Sequence, residues 1–275
     1  MGRRIVKVEL RRPDLRFPFP DQFAARLTGA TVESLDRRAK YLLARLSTGE
    51  MLVMHLGMTG RFRDEAASGT DRPGDFYYAA APAAAHDHVA FGLSDGTRVI
   101  FNDARRFGFM SLVPAAAMDT TPPFAGMGFE PLGPDLTGER LARLLAGRKA
   151  PLKAALLDQR LIAGLGNIYV SEALHRAGLS PHAPAGSIAT ATGRPRRTAT
   201  ALADAIRAVL EEAVAVGGST LRDYAQVDGS EGGFQERFRV YDREGEACLQ
   251  PGCRGVIRRT VQSGRSSFHC SVCQA

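Results

Sequence analysis

The chain has 275 residues, 44% of them hydrophobic, enough for a sizeable core and for two domains or one large domain with an appendage; general disorder is excluded. A formal charge of +7 favours a polyanionic partner over a small acidic metabolite, though only four of the 36 basic residues are lysines, an arginine bias that genomic base composition alone can produce. Arg3, Arg4, Lys7 and Glu9 exclude a signal-peptide core, and no apolar run is long enough to span a bilayer, so a cytoplasmic protein with no membrane partner is expected.

Residues 4–11 nearly alternate, with Val6, Val8 and Leu10 against Lys7, Glu9 and Arg11, which predicts a strand with one buried face. Residues 40–46 and 51–56 flank a polar turn containing Gly49 and predict a hairpin. The pattern returns at 88–93 and 98–101 around Asp95 and Gly96, followed by 109–113. The first 115 residues are therefore expected to form a β-sandwich or flattened barrel, interrupted by an inserted surface loop over 64–85 rich in Ala, Gly, Pro and Asp. Prolines at 114, 122, 123, 131 and 134 mark a linker over 116–135, after which the period changes. Leu141, Leu144 and Leu145 share a helical face, Pro151 opens a short helix, a glycine-broken turn over 162–166 leads into a helix over 167–176, and 199–216 is a long amphipathic helix ended by Gly217 and Gly218. From Phe234 the strand signal is expected to return around the cysteines. The predicted class is α+β multidomain, with strands at 1–115, helices at 136–233 and a small metal-bearing tail at 234–275.

All four cysteines lie in that tail. Cys248 and Cys253 enclose four residues, Cys270 and Cys273 enclose two, and sixteen separate the pairs. Such spacing places four thiolates tetrahedrally around one structural zinc ion, as in a zinc ribbon, and leaves no open position for water. Free thiols are the alternative. His269 is an available ligand that a complete cysteine set makes unnecessary. Between the pairs, Arg254, Arg258, Arg259 and Arg265 stand without an acidic residue, reading as an unopposed phosphate-binding face or as a solvated charge run. At Gly164, Leu165, Gly166, Asn167, two glycines precede a helix N-terminus, a weak phosphate-site signal often due to packing alone.

The strings HLGMTG (55–60), HDHV (86–89), NDARRFG (102–108), GLGNIYVSEAL (164–174) and GGSTLRDY (217–224), together with the cysteine ribbon, resemble in order and spacing the formamidopyrimidine-DNA glycosylases, which share a superfamily with endonuclease VIII. The resemblance covers nearly the whole chain. It implies an N-terminal β-sandwich, a helix-two-turn-helix domain and a C-terminal zinc finger that together clamp damaged double-stranded DNA as a monomer, with excision of oxidised purines such as 8-oxoguanine and cleavage at the abasic site by β,δ-elimination. By the same resemblance Lys40, in RRAKYL, is the β-elimination proton donor, and Arg265 is the zinc-finger arginine associated with δ-elimination. His86, Arg105, Arg148 and Asn167 contact DNA. Met58, Arg105 and Phe107 fill the void left by an everted base, with Arg105 facing the orphaned partner. From the residues alone, Lys40 reads as a surface lysine opening a strand, and Met58 and Phe107 read as ordinary core.

Family members begin Met-Pro-Glu-Leu-Pro-Glu, and the proline amine, exposed by Met removal, is the Schiff-base nucleophile, assisted by the glutamate. Here the chain begins Met1, Gly2, Arg3, Arg4, so the resemblance implies that about twenty residues, one helix and its lead-in, precede its counterpart of Met1. A start codon placed downstream of the true one is the expected cause. The other reading is a non-catalytic binder of damaged DNA on the same fold, and a third is a zinc-ribbon nucleic-acid protein without lesion specificity. The glycine-rich segment over 217–235 favours the purine-specific branch over endonuclease VIII, since there a loop closes on the everted base.

Overall fold

The computed structural model describes residues 1–65, 84–219 and 232–274. Two compact units divide the chain, the first holding Met1–Ala125 and the second Gly126–Gly218 with Gly233–Ala275.

In the first unit the strands are β1 (Ile5–Leu10), β2 (Val32–Arg38), β3 (Tyr41–Leu46), β4 (Glu50–His55), β5 (Arg61–Glu65), β6 (Asp87–Leu93), β7 (Arg98–Asn102) and β8 (Phe109–Pro114), with a short helix α1 (Phe23–Leu27) after β1. They form two antiparallel four-stranded sheets, β1-β6-β7-β5 and β2-β3-β4-β8. Alternate residues of several strands meet in one apolar core: Ala44 and Leu46, Leu52 and Met54, Val89 and Phe91, Met110 and Leu112, with Phe101, Phe23 and Leu27. Alternate residues facing one core are the geometry of a sandwich, while β4 and β6 are buried on both faces. The expected hairpins are present, whereas β2 and β5, at sheet edges, carry no apolar alternation. The inserted loop lies largely outside the described residues, which resume at Ala84 in a 3₁₀ turn ending at His86.

The second unit contains α2 (Gly138–Leu145), α3 (Leu152–Leu156), α4 (Asn167–Arg176) and α5 (Arg197–Ala215), then the hairpin β9 (Ile257–Gln262) and β10 (Arg265–Cys270). Thr137 caps α2 by accepting the Arg140 N–H, and α4 begins at Asn167 as its glycine-broken lead-in requires. Leu141, Leu145, Leu152, Leu156, Val170, Leu174, Leu202, Ile206 and Val209 share one core. The strand signal expected from Phe234 is corrected: Phe234–Arg237 is a 3₁₀ turn, Phe234 and the following Phe238 are buried against the helical core, a single antiparallel bridge joins Ala247 to Val256, and the continuous ladder starts at Ile257. Ser263 and Gly264, at φ of 49° and 74°, form the two-residue turn that right-twisted strands favour, and Arg265 is the first residue past it. Among the described residues no helix is long and apolar enough to cross a membrane.

Candidate nucleic-acid interface and metal centre

In the first unit, the two loops that carry HLGMTG and NDARRFG lie side by side. The Arg105 N–H donates to Thr59 Oγ1 at 3.0 Å, so Met58 and Arg105 flank the same bond. Met58 is 60% exposed and Phe107 43%, which overturns their reading as ordinary core. The Arg105 guanidinium lies 4.8 Å above the Phe107 ring, a cation–π pair, and Arg106 between them takes φ of 56°, a left-handed conformation uncommon outside glycine. His86, half-buried, accepts the Asp103 N–H through its carbonyl at 3.0 Å.

Lys40 is exposed in the two-residue turn between β2 and β3, after Ala39 at φ of 53°. With Arg37, Tyr41, His55 and Gly57 it lines a cavity of about 300 Å³. Burial first, then the charges of Lys40 and Arg16, holds the His55 imidazole below its usual range; its Nδ1 accepts the Gly57 N–H at 2.9 Å, as an unprotonated nitrogen does. A neutral imidazole thus stands beside Lys40. In the sequence His55 stands only as the first residue of HLGMTG, with no role attached to it.

In the second unit, Asn167 and Arg265 are brought together by a lysine that sequence reasoning passed over. Lys153 is 1% exposed, and its Nζ donates to the Ser266 carbonyl and Ser267 Oγ, both at 2.7 Å. Asn167 Nδ2 donates to the same Ser266 carbonyl at 3.0 Å, while its buried Oδ1 has no hydrogen-bond partner among the described residues. Burial first, and the charge of Arg265 second, bring Lys153 down to about 8. Lys153 and Arg265 also border a cavity of about 220 Å³. The available signal was a lysine among the buried positions of a short helix, beside Leu152, Ala155 and Leu156. Arg148 is exposed beyond α2, its Nε donating to the Leu144 carbonyl at 2.8 Å. Within each unit the predicted residues converge, Met58, Arg105 and Phe107 in the first, Asn167 and Arg265 in the second.

The four cysteine sulfurs lie within 4.8 Å of one another, with Cys248 to Cys273 at 3.7 Å and Cys253 to Cys270 at 3.6 Å. Zn–S bonds of about 2.3 Å in a tetrahedron set sulfurs about 3.8 Å apart, so the donor set fits zinc. The Gln250 and Gly255 N–H groups donate to Cys248 and Cys253 Sγ at 3.4 and 3.3 Å, and His175 Nε2 lies 3.3 Å from Cys248 Sγ. Burial, joined by the charges of Arg239, Arg176 and Arg243, takes His175 down to about 4, so the neutral ring faces the sulfur. His269 is buried against His182 and is not part of the set. Arg254, Arg258, Arg259 and Arg265 are all exposed, but the face is not wholly unopposed, since Glu244 stands 4.0 Å from Arg259. Glu172 of α4, fully buried, accepts the N–H groups of Arg239, Val240 and Tyr241 at 2.9 to 3.0 Å and ties the segment leading to the cysteines onto that helix. The segment over 217–235 falls mostly outside the described residues.

Two family models match, the formamidopyrimidine-DNA glycosylase N-terminal domain over residues 1–110 and the H2TH domain of the same enzymes over 127–225. A formamidopyrimidine-DNA glycosylase of Methylobacterium nodulans is 66% identical over 269 residues, covering 97% of this chain and 91% of the relative. The crystal structure of the MutM (Fpg) protein of Thermus thermophilus superposes with a TM-score of 0.79 at 40% identity, over 100% of this chain and 92% of that one. A Lactococcus lactis Fpg mutant bound to Fapy-dG-containing DNA gives 0.81 at 29% identity, over 100% and 93%.

Proposed function

Because this chain belongs to the formamidopyrimidine-DNA glycosylase family, we propose that it serves base-excision repair by removing oxidised purines from duplex DNA and cleaving the strand at the abasic site left behind. The observation that carries this reading is the pair of exposed apolar side chains, Met58 and Phe107, on adjoining loops beside an arginine stacked on one of them. Exposed singly they would be unremarked; on adjoining loops they support the reading of a wedge of the kind that replaces a base turned out of the stack. Arg105, pre-stacked on Phe107, presents its donors to the orphaned base. His86, Arg148, Asn167 and Arg265 supply phosphate contacts, which position the duplex without reading its sequence. Lys40 stands as proton donor for β-elimination, its neighbour His55 kept neutral. Arg265, the first residue past the turn and adjacent to Ser266, which Lys153 holds, would serve the second elimination.

Cys248, Cys253, Cys270 and Cys273 would hold the zinc, which supplies fold to the basic hairpin and no reaction step, since four sulfurs leave no open position. The proline that the resemblance assigns as nucleophile is not among the 275 residues. The test is therefore run on two polypeptides. The 275 residues alone should bind an abasic-site analogue without being trapped on DNA by borohydride. The same residues behind a segment beginning Pro-Glu after Met removal should be trapped, release 8-oxoguanine and formamidopyrimidines, and cleave the strand; Lys40→Ala in that form should impair elimination more than binding. Equal or greater release of oxidised pyrimidines would overturn the purine assignment, and trapping of the 275 residues alone would move the nucleophile to Lys40.

A further inference from the structure

Behind the exposed wedge lies a carboxylate with no exposed surface. Asp103 is 0% exposed; its Oδ1 accepts the hydroxyl of Thr59, itself 4% exposed, and its Oδ2 accepts the Gly108 N–H at 2.8 Å. Thr59 Oγ1 passes the connection on by accepting the Arg105 N–H at 3.0 Å. The main chain of the same aspartate is also engaged: its N–H donates to the His86 carbonyl at 3.0 Å, and its carbonyl lies 2.8 Å from His88 Nε2 and accepts the Arg106 N–H at 3.3 Å. One residue therefore ties the loop of Met58, both ends of the segment from Arg105 to Phe107, and the turn of His86. The two loops touch backbone to backbone with no spare room, since a Cβ on Gly57 would stand 2.5 Å from Gly108 N, and one on Gly108 would stand 2.8 Å from the His55 carbonyl oxygen.

We propose that Asp103 and Thr59 are positioning residues for lesion recognition: their buried latch locks the two void-filling loops into one preformed wedge. The proposal rests on the reading above that Met58, Arg105 and Phe107 enter the stack. A wedge held rigid before contact keeps its geometry while bases are forced apart, whereas two loose loops must be ordered at the moment of insertion, which weakens the bound state. A carboxylate suits the latch because it accepts from both loops at once, and in a water-free setting those charge-assisted bonds are strong. Asparagine offers one acceptor oxygen and turns a donor toward the other loop.

The experiment uses the full chain and a duplex containing a tetrahydrofuran abasic-site analogue with 2-aminopurine as the facing base, read by fluorescence as the wedge unstacks it. Thr59→Val and Asp103→Asn should each lose the fluorescence rise and bind this duplex about tenfold or more weakly, the scale expected from one lost charge-assisted bond, while keeping wild-type affinity for undamaged DNA and wild-type far-UV dichroism. Thr59→Ser, which keeps the hydroxyl, should restore both readouts. Phe107→Ala and Met58→Ala separate the two claims. If they abolish the rise and Thr59→Val does not, the latch is refuted and the wedge stands; if they leave the rise intact, the wedge reading falls and the latch with it. Should Asp103→Asn fail to fold, the valine and serine variants at Thr59 decide alone.

Discussion

On the proposed reading the two units would meet DNA with different chemistry, and each carries buried polar support of a different kind. In the first unit the working surface is apolar and shaped, Met58 and Phe107 with one arginine, and it is held from behind by a buried anion, Asp103. In the second the proposed surface is cationic, Arg148 beyond α2 with Arg254, Arg258 and Arg265 in the tail, and the tail is held by a buried cation, Lys153, by Glu172 and by the cysteine cluster. Shape selects a lesion by the cost of disturbing the stack, whereas charge gives affinity to any duplex. Variants in the first unit should therefore change discrimination, and those in the second should change affinity across all DNA.

The largest effect is expected at the sulfurs. Cys270→Ser, or removal of the metal by a chelator, should unfold the β9–β10 hairpin and abolish detectable binding to damaged and undamaged duplex alike, because metal binding is folding energy for a region whose buried core among the described residues is Val240, Ile257, Phe268 and two of the cysteines. A zinc-free preparation with full affinity in a mobility-shift assay would contradict this. Next is His175→Ala, which removes the ring beside Cys248 and should weaken zinc retention about 10- to 100-fold in a chelator competition, with little effect on a fully loaded sample.

A smaller change is expected from Arg265→Ala measured as a salt titration. The slope of log affinity against log salt should fall by about one for damaged and undamaged duplex equally, since one phosphate contact is lost. A loss confined to damaged duplex would place Arg265 with the wedge residues and break the distinction between the units. The smallest effect concerns Lys153. Its folded-state pKa of about 8 lies below the ordinary lysine value, so the unfolded chain binds the proton more tightly and stability should rise as pH increases from about 8 to 10.5. Lys153→Met should remove that rise in denaturant titrations at successive pH values, while lowering Asn167-dependent DNA binding at pH 7.

The pattern of what was legible in sequence follows the same physics. Strands with continuous apolar runs, such as β4 with Met51, Leu52, Val53 and Met54 all buried, were plain, and so was the helix opening at Asn167. The edge strands β2 and β5 were not, because VESLDRR and RFRDE put charge where an edge needs it and leave little apolar alternation to read. The cysteine spacing was readable because metal geometry fixes it. The buried polar supports were not: Asp103, Lys153 and Glu172 look like any surface charge until the fold shows them at 0 to 1% exposure with backbone groups as partners. Met58 and Phe107 fail in the opposite sense, apolar residues that residue type sends to the core and that the structure leaves outside, so only the resemblance assigned them a place in recognition.

The most direct test of the account compares the affinity of the 275-residue chain for two duplexes of identical sequence at matched salt, one intact and one carrying a single abasic-site analogue. Binding to the damaged duplex should be at least about 100-fold tighter, with most of that ratio lost in Phe107→Ala and the same salt slope on both duplexes, because the phosphate contacts are common and only the wedge discriminates. Equal affinity for the two duplexes, or a ratio unchanged by Phe107→Ala, would contradict it.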